Sequence, residues 1–222
     1  MPRKNSASTF SDKDACGFIY PIINWIISHL YYLNLVELLK FIAGRMLPQN
    51  ADENTKLRYS RNTVDMFIVS KWVYLIILIL INHVSYLHLI IVWYLIYTNL
   101  YTYFYYHTWK DAILVDKHLT PTRIKRRFVD IGQAIFFTVI SFAYFYNTPY
   151  NEDFSWINNT ATFKDAFIYS VSNSLIANFN LLSPKTDTGY VVVVIQSIIM
   201  IMFFTIIVVG SIPQLNCIEK EG

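Results

Sequence analysis

The chain has 222 residues, 55% of them hydrophobic and only 15% charged, with a formal net charge of +3. Soluble domains carry about a quarter charged residues. Here the charges gather between long apolar blocks, which excludes an ordinary soluble domain and points to an all-α integral membrane protein.

The N-terminal stretch is polar and mixed in charge (Arg3, Lys4, Asp12, Lys13, Asp14). A cleavable leader would instead place an apolar core after a basic start. Cys16 and Cys217 lie near opposite ends, too far apart in sequence to suggest a metal motif, and no disulfide framework is expected. Phe18–Met46 is long and apolar but interrupted by Asn24, His29, Asn34, Glu37 and Lys40. Polar groups at mid-bilayer are costly unless paired. The favoured reading is a membrane-surface amphipathic helix or helical pair, with a further span as its rival. Gly44 can cap its end, and Pro48 opens a polar linker that runs through Thr63.

Four blocks reach the roughly 20 apolar residues that a spanning helix needs. They are Val64–Asn82, Tyr86–Tyr106, Val129–Tyr146 and Tyr190–Val209. Only His83, Val84 and Ser85 separate the first two, which predicts a tight antiparallel hairpin. Lys110, Lys117, Arg123, Lys125, Arg126 and Arg127 fill the loop between the second and third blocks, and Lys56, Arg58 and Arg61 precede the first. By the positive-inside rule both basic regions are cytoplasmic, both termini lie inside, and residues 147–189 face outside. A plasma or inner membrane is the expected location.

Two charges fall inside the first block. Asp65, near its end, reads as an interface position, whereas Lys71 is the stronger functional candidate and could snorkel partway. No span repeats Arg at every third residue, so a voltage sensor is not expected. The run Arg123, Lys125, Arg126, Arg127 reads first as a positive-inside anchor and second as a surface for anionic lipid or a cytosolic protein partner. Nucleic acid is not an expected partner. The five histidines are scattered, with no HExxH, nucleophile elbow or Gly-rich phosphate loop, so neither an enzyme nor a cofactor is expected. Asn158-Asn159-Thr160 matches a glycosylation triplet, and Glu152 and Asp153 could draw cations to an outer mouth.

The functional signal lies in Phe163–Gln214. Phe163 to about Leu175 is amphipathic but too short to cross. A polar strip, Pro184 and a long apolar helix follow. A half-helix that returns to the same side requires its irregular backbone to be buried in protein or to line water. Ile176, Ala177, Asn178, Phe179 and Asn180 occupy that strip. Within the last span the polar residues are Gln196 and Ser197, which could line a pore cavity or make an interhelical hydrogen bond.

Aligned on Ser170-Val171 and Pro184, residues 129–214 resemble the pore module of the two-transmembrane-type potassium and cation channels: outer helix, pore helix, filter loop, inner helix. The resemblance keeps the filter aromatic as Phe179 and the following proline as Pro184. It departs at the filter, where Ile176 replaces the family's threonine, Asn178 and Asn180 replace both glycines, and Leu181 replaces the acidic residue. A potassium filter presents backbone carbonyls in place of the ion's hydration shell, and its glycines allow positive φ. Asn tolerates that region best after Gly. The resemblance therefore implies a homotetramer with a related backbone path, permeable to monovalent cations, with potassium selectivity weakened or lost.

The expected organisation is a cytoplasmic region with an interfacial helix (1–63), a transmembrane hairpin (64–107), a basic loop (108–128), the channel-like module with its re-entrant pore helix (129–214), and a tail (215–222). The alternative function is a non-conducting scaffold, sensor or receptor subunit that uses a vestigial channel fold to dock a cytosolic protein. A bacterial stress or defence system would suit either reading.

Overall fold

The computed structural model describes residues 17–48, 52–82, 84–109, 121–157, 160–177 and 181–211. Among the described residues there are seven α-helices: α1 (Ile19–Leu30), α2 (Leu35–Arg45), α3 (Glu53–Ile81), α4 (Tyr86–Phe104), α5 (Pro121–Asn147), α6 (Phe163–Ser174) and α7 (Asp187–Ser211). A 3-10 turn, Tyr31–Leu33, joins α1 to α2, and a π-helical turn, Tyr105–Trp109, extends α4.

Three helical segments are long and apolar enough to cross a membrane: Glu53–Ile81, Phe128–Asn147 and Asp187–Ile207. The α1–α2 pair passes the same test only when taken as one span bent by 56°. The expected second span, α4, is not among them. It has the length, but five tyrosines in its 19 residues lower its hydropathy, and several of their hydroxyls are spent on α1 rather than left to lipid, as described below.

Two helices begin earlier than expected. The linker ending at Thr63 is helical from Glu53, because Asp52 caps it by accepting the Thr55 amide at 3.3 Å. The Thr55 hydroxyl also donates to Asp52, and these bonds hold its carboxyl below the usual carboxylate range. The basic run likewise lies within α5 rather than in a loop. α3 ends at Asn82, which takes the left-handed conformation at φ 50°. Ser85 caps α4.

α5 is the central post. Half of its most apolar window is buried, against 22% for α3 and 33% for α7. Phe137, Phe142, Ala143, Phe145 and Tyr146 are wholly enclosed. Trp93 of α4 stacks on Phe145 at 4.7 Å and meets Phe142 edge-on at 5.5 Å. α6 lies chiefly against α5, and α2 chiefly against α3.

The fold is not purely helical. A short antiparallel ladder pairs β1 (Phe154–Trp156) with β2 (Leu182–Pro184). Both strands alternate inward and outward residues, burying Phe154 and Leu182. Beyond β2, the Lys185 amide bonds the Asp153 carbonyl at 2.8 Å and the Thr186 hydroxyl bonds the Asp153 carboxylate at 2.5 Å. Thr186 also accepts the Gly189 amide at the start of α7. Gly189 is required by closeness: a Cβ there would sit 2.6 Å from the Asp153 carbonyl oxygen. Asp153, one of the two carboxylates that could draw cations to an outer mouth, is fastened to the α7 entry.

Candidate functional site

α6 begins with a reciprocal cap. Thr162 accepts the Asp165 amide at 3.1 Å and donates its hydroxyl to the Asp165 carboxylate at 2.8 Å. Ala166, Ser170 and Ser174 recur at four-residue spacing along its buried face. Small residues at that spacing let helix backbones approach closely in an apolar surrounding. The Ser170 hydroxyl uses that approach to donate to the Val139 carbonyl of α5 at 2.8 Å.

Gln196 of α7 is 0% exposed and lies at the centre of this module. Its Oε1 accepts from the Tyr146 hydroxyl of α5 at 2.5 Å and from Asn173 Nδ2 of α6 at 2.9 Å. Its Nε2 donates to the Ser170 carbonyl at 2.9 Å, to Ser170 Oγ at 2.8 Å and to Ser174 Oγ at 2.9 Å. Every polar valence of the amide is thus met by protein across three helices. Within the chain Gln196 is an interhelical clamp and is fully enclosed. Half-buried Ser197 bonds Asn173 Oδ1 at 3.3 Å and the Val193 carbonyl at 3.2 Å, in the same network. Sequence reading picked out Gln196 and Ser197 but not Tyr146, Ser170, Asn173 or Ser174. The Ala166-Ser170-Ser174 spacing was a usable signal.

α6 ends in a Schellman turn. The Ala177 amide bonds the Ser172 carbonyl at 2.8 Å and the Ile176 amide bonds the Asn173 carbonyl at 3.2 Å. The Ser172 hydroxyl also donates to the Ala177 carbonyl. Ile176 takes the left-handed position at φ 56°, where glycine is usual and a β-branched residue is rare. Its side chain is 78% exposed. Asn178, Phe179 and Asn180 lie outside the described residues. Of the residues that flank them, Ile176 and Ala177 belong to the Schellman turn and the Leu181 carbonyl accepts the Ile157 amide at 3.2 Å.

On α7, Tyr190, Val191, Val194, Ile198, Ile201 and Phe204 form an exposed apolar stripe at three- and four-residue intervals. Among the described residues nothing covers it.

The remaining candidates sit apart from this module. Arg126 bonds Asp65 at 2.8 Å and approaches Asp130 at 3.7 Å, so Asp65 ties α3 to α5. Lys125 is exposed, and the side chains of Arg123 and Arg127 lie outside the described residues. Asn158, Asn159, His83, Cys16 and Cys217 also lie outside them. Lys71 does not snorkel. It is 3% exposed and donates to Asn99 Oδ1 of α4 at 2.7 Å. The polar face of α4 gave it an inward partner that the hydropathy of α3 could not reveal. Among the described residues no group of three His, Cys, Asp or Glu is placed to hold a metal ion. No protein-family model, curated protein or solved structure matches the chain.

Proposed function

We propose that the chain is one subunit of a channel-like homotetramer in a plasma or inner membrane, with α5, α6 and α7 forming a cation-permeable pore module of weakened potassium selectivity. The carrying observation is α6. It has 12 residues, about 18 Å of helix, too short to cross. It is nonetheless locked between two helices that are long enough, and its strained exit leads directly into the Asn178–Asn180 strip. In this reading α6 is a re-entrant pore helix, both termini are cytoplasmic, and Asn178 and Asn180 face the ion path. The apolar stripe of α7 supports assembly, since it leaves a whole helix face for a second copy.

The non-conducting scaffold is a second reading, favoured by one observation. The exposed stripe of α7 is apolar apart from Thr205 near its end, and the helix's buried Gln196 amide is fully bonded within the chain. A pore walled by that stripe would resist wetting. Cation flux into liposomes separates the two readings. The pore reading expects monovalent-cation flux from the wild type and altered selectivity in Asn178→Ala and Asn180→Ala. Absence of flux from an intact tetramer would leave the scaffold.

A further inference from the structure

α3 and α5 lie side by side and run in the same direction. Asp65 of α3 bonds Arg126 of α5 at 2.8 Å. Seven residues further along each helix, Trp72 donates to Gln133 at 3.0 Å. Equal steps on both helices fix the register of a parallel pair. The two helices are therefore basic at the same end. α3 carries Lys56, Arg58 and Arg61 ahead of Asp65, and α5 carries Lys125 ahead of the apolar segment that opens at Phe128. All four of these basic residues are exposed. The carboxylates beside them, Asp65 and Asp130, both lie against Arg126, at 2.8 and 3.7 Å. Arg61 stands one turn from Asp65, about 6 Å along the helix, and Lys125 is the neighbour of Arg126. One cation is thus set on each side of the seam, at the polar edge of the apolar segment.

An apolar groove continues from these cations. Lys125, Val129, Gly132 and Phe136 recur at steps of four, three and four, so they share one face of α5, and all four are exposed. Trp72 borders that face from α3, its ring 5.7 Å from Phe136. Val69, one turn before Trp72, is exposed as well. Gly132 leaves a notch between Val129 and Phe136, since a Cβ there would meet nothing within 4 Å.

We propose that the α3–α5 seam binds one anionic phospholipid, with its phosphate on Arg61 and Lys125 and an acyl chain laid over Gly132 against Phe136 and Trp72. The two halves of the site select this ligand together. A phosphodiester matches the paired cations, and the groove that runs on from them matches a chain that stays in the bilayer. A free phosphate or an acidic peptide uses the cations and leaves the groove empty. A zwitterionic lipid fits the groove but brings its own cation against Arg61 and Lys125. The site rests on α3 and α5 crossing a bilayer, for which both are long and apolar enough, and does not depend on whether α5–α7 conduct.

The test is native mass spectrometry of the full chain released from nanodiscs that mix phosphatidylglycerol with phosphatidylcholine. One phosphatidylglycerol per chain is expected to be retained in preference to phosphatidylcholine, whatever the number of chains in the assembly. Arg61→Gln combined with Lys125→Gln is expected to weaken that retention roughly fivefold per charge removed. Gly132→Leu fills the notch without changing the charge, and is expected to lose the bound lipid while circular dichroism shows helical content unchanged. Equal retention of the two lipids by the wild type would overturn the site. Loss in the charge variant with Gly132→Leu unaffected would also overturn it, because a basic belt that attracts anionic lipid without seating it behaves that way. Retention unchanged in the charge variant would remove Arg61 and Lys125 as the phosphate ligands and overturn the assignment.

Discussion

At Ile176 the backbone adopts a conformation that costs an L-residue roughly 1–2 kcal/mol. The turn persists because three bonds over-determine it: two Schellman bonds and the Ser172 hydroxyl. Strain held at the mouth of the strip fits a segment whose path matters. Gln196 is the opposite case, a polar residue with every valence filled. Gln196→Ala is expected to cost on the order of 2–3 kcal/mol, since it leaves the buried Tyr146 hydroxyl without the Gln196 acceptor and removes the donor that ties Ser170 and Ser174 to α7. Denaturant unfolding in detergent would read this. A small change would mean that the network is looser than drawn. The sequence marked Gln196 and Lys71 by their presence in apolar runs. It could not choose their partners, because those come from α5 and α6 for Gln196 and from α4 for Lys71, and only packing sets which faces meet.

Among the elements, the α1–α2 break is the most constrained. A helix end leaves its last carbonyls without intrahelical donors. Here α4 supplies them. Tyr101 donates to the Ile27 carbonyl at 2.6 Å, Tyr97 to Leu30 at 3.2 Å and Tyr94 to Leu33 at 2.7 Å. The three rings stack in a file, 6.2 and 5.9 Å between centres. Buried Asn34 then caps α2, accepting the Val36 amide at 3.0 Å and donating to Thr102. The bend is therefore a built feature, and Phe18–Met46 forms two helices that pass as a membrane span only when taken as one bent by 56°. Replacing Tyr94, Tyr97 and Tyr101 by Phe keeps the stacking but removes the donors, at about 1 kcal/mol each. Faster deuterium exchange is expected across 27–36, with α5–α7 unchanged. Protection equal to wild type would show that the hydroxyls do not hold the break. The spacing of these tyrosines was visible in the sequence, but it read as a spanning helix, because periodicity does not say whether a face meets lipid or another helix.

For the whole molecule, the membrane character was legible because it rests on length and hydropathy, which need no tertiary information. The boundaries of α3 and α5 were less so, since polar and basic turns continue both helices beyond their apolar blocks. The β1–β2 ladder was missed, because three-residue strands carry too little alternation to read. Assembly is the remaining level. In the proposed tetramer a single chain would supply one quarter of a ring, and the α7 stripe is one exposed apolar face available for it. The central claim, that these helices form a channel-like tetramer, is tested most directly by the native mass of the protein released from lipid nanodiscs. The account predicts four copies of the 26.1 kDa chain. A monomer at that mass, under conditions that preserve helical content, would contradict it.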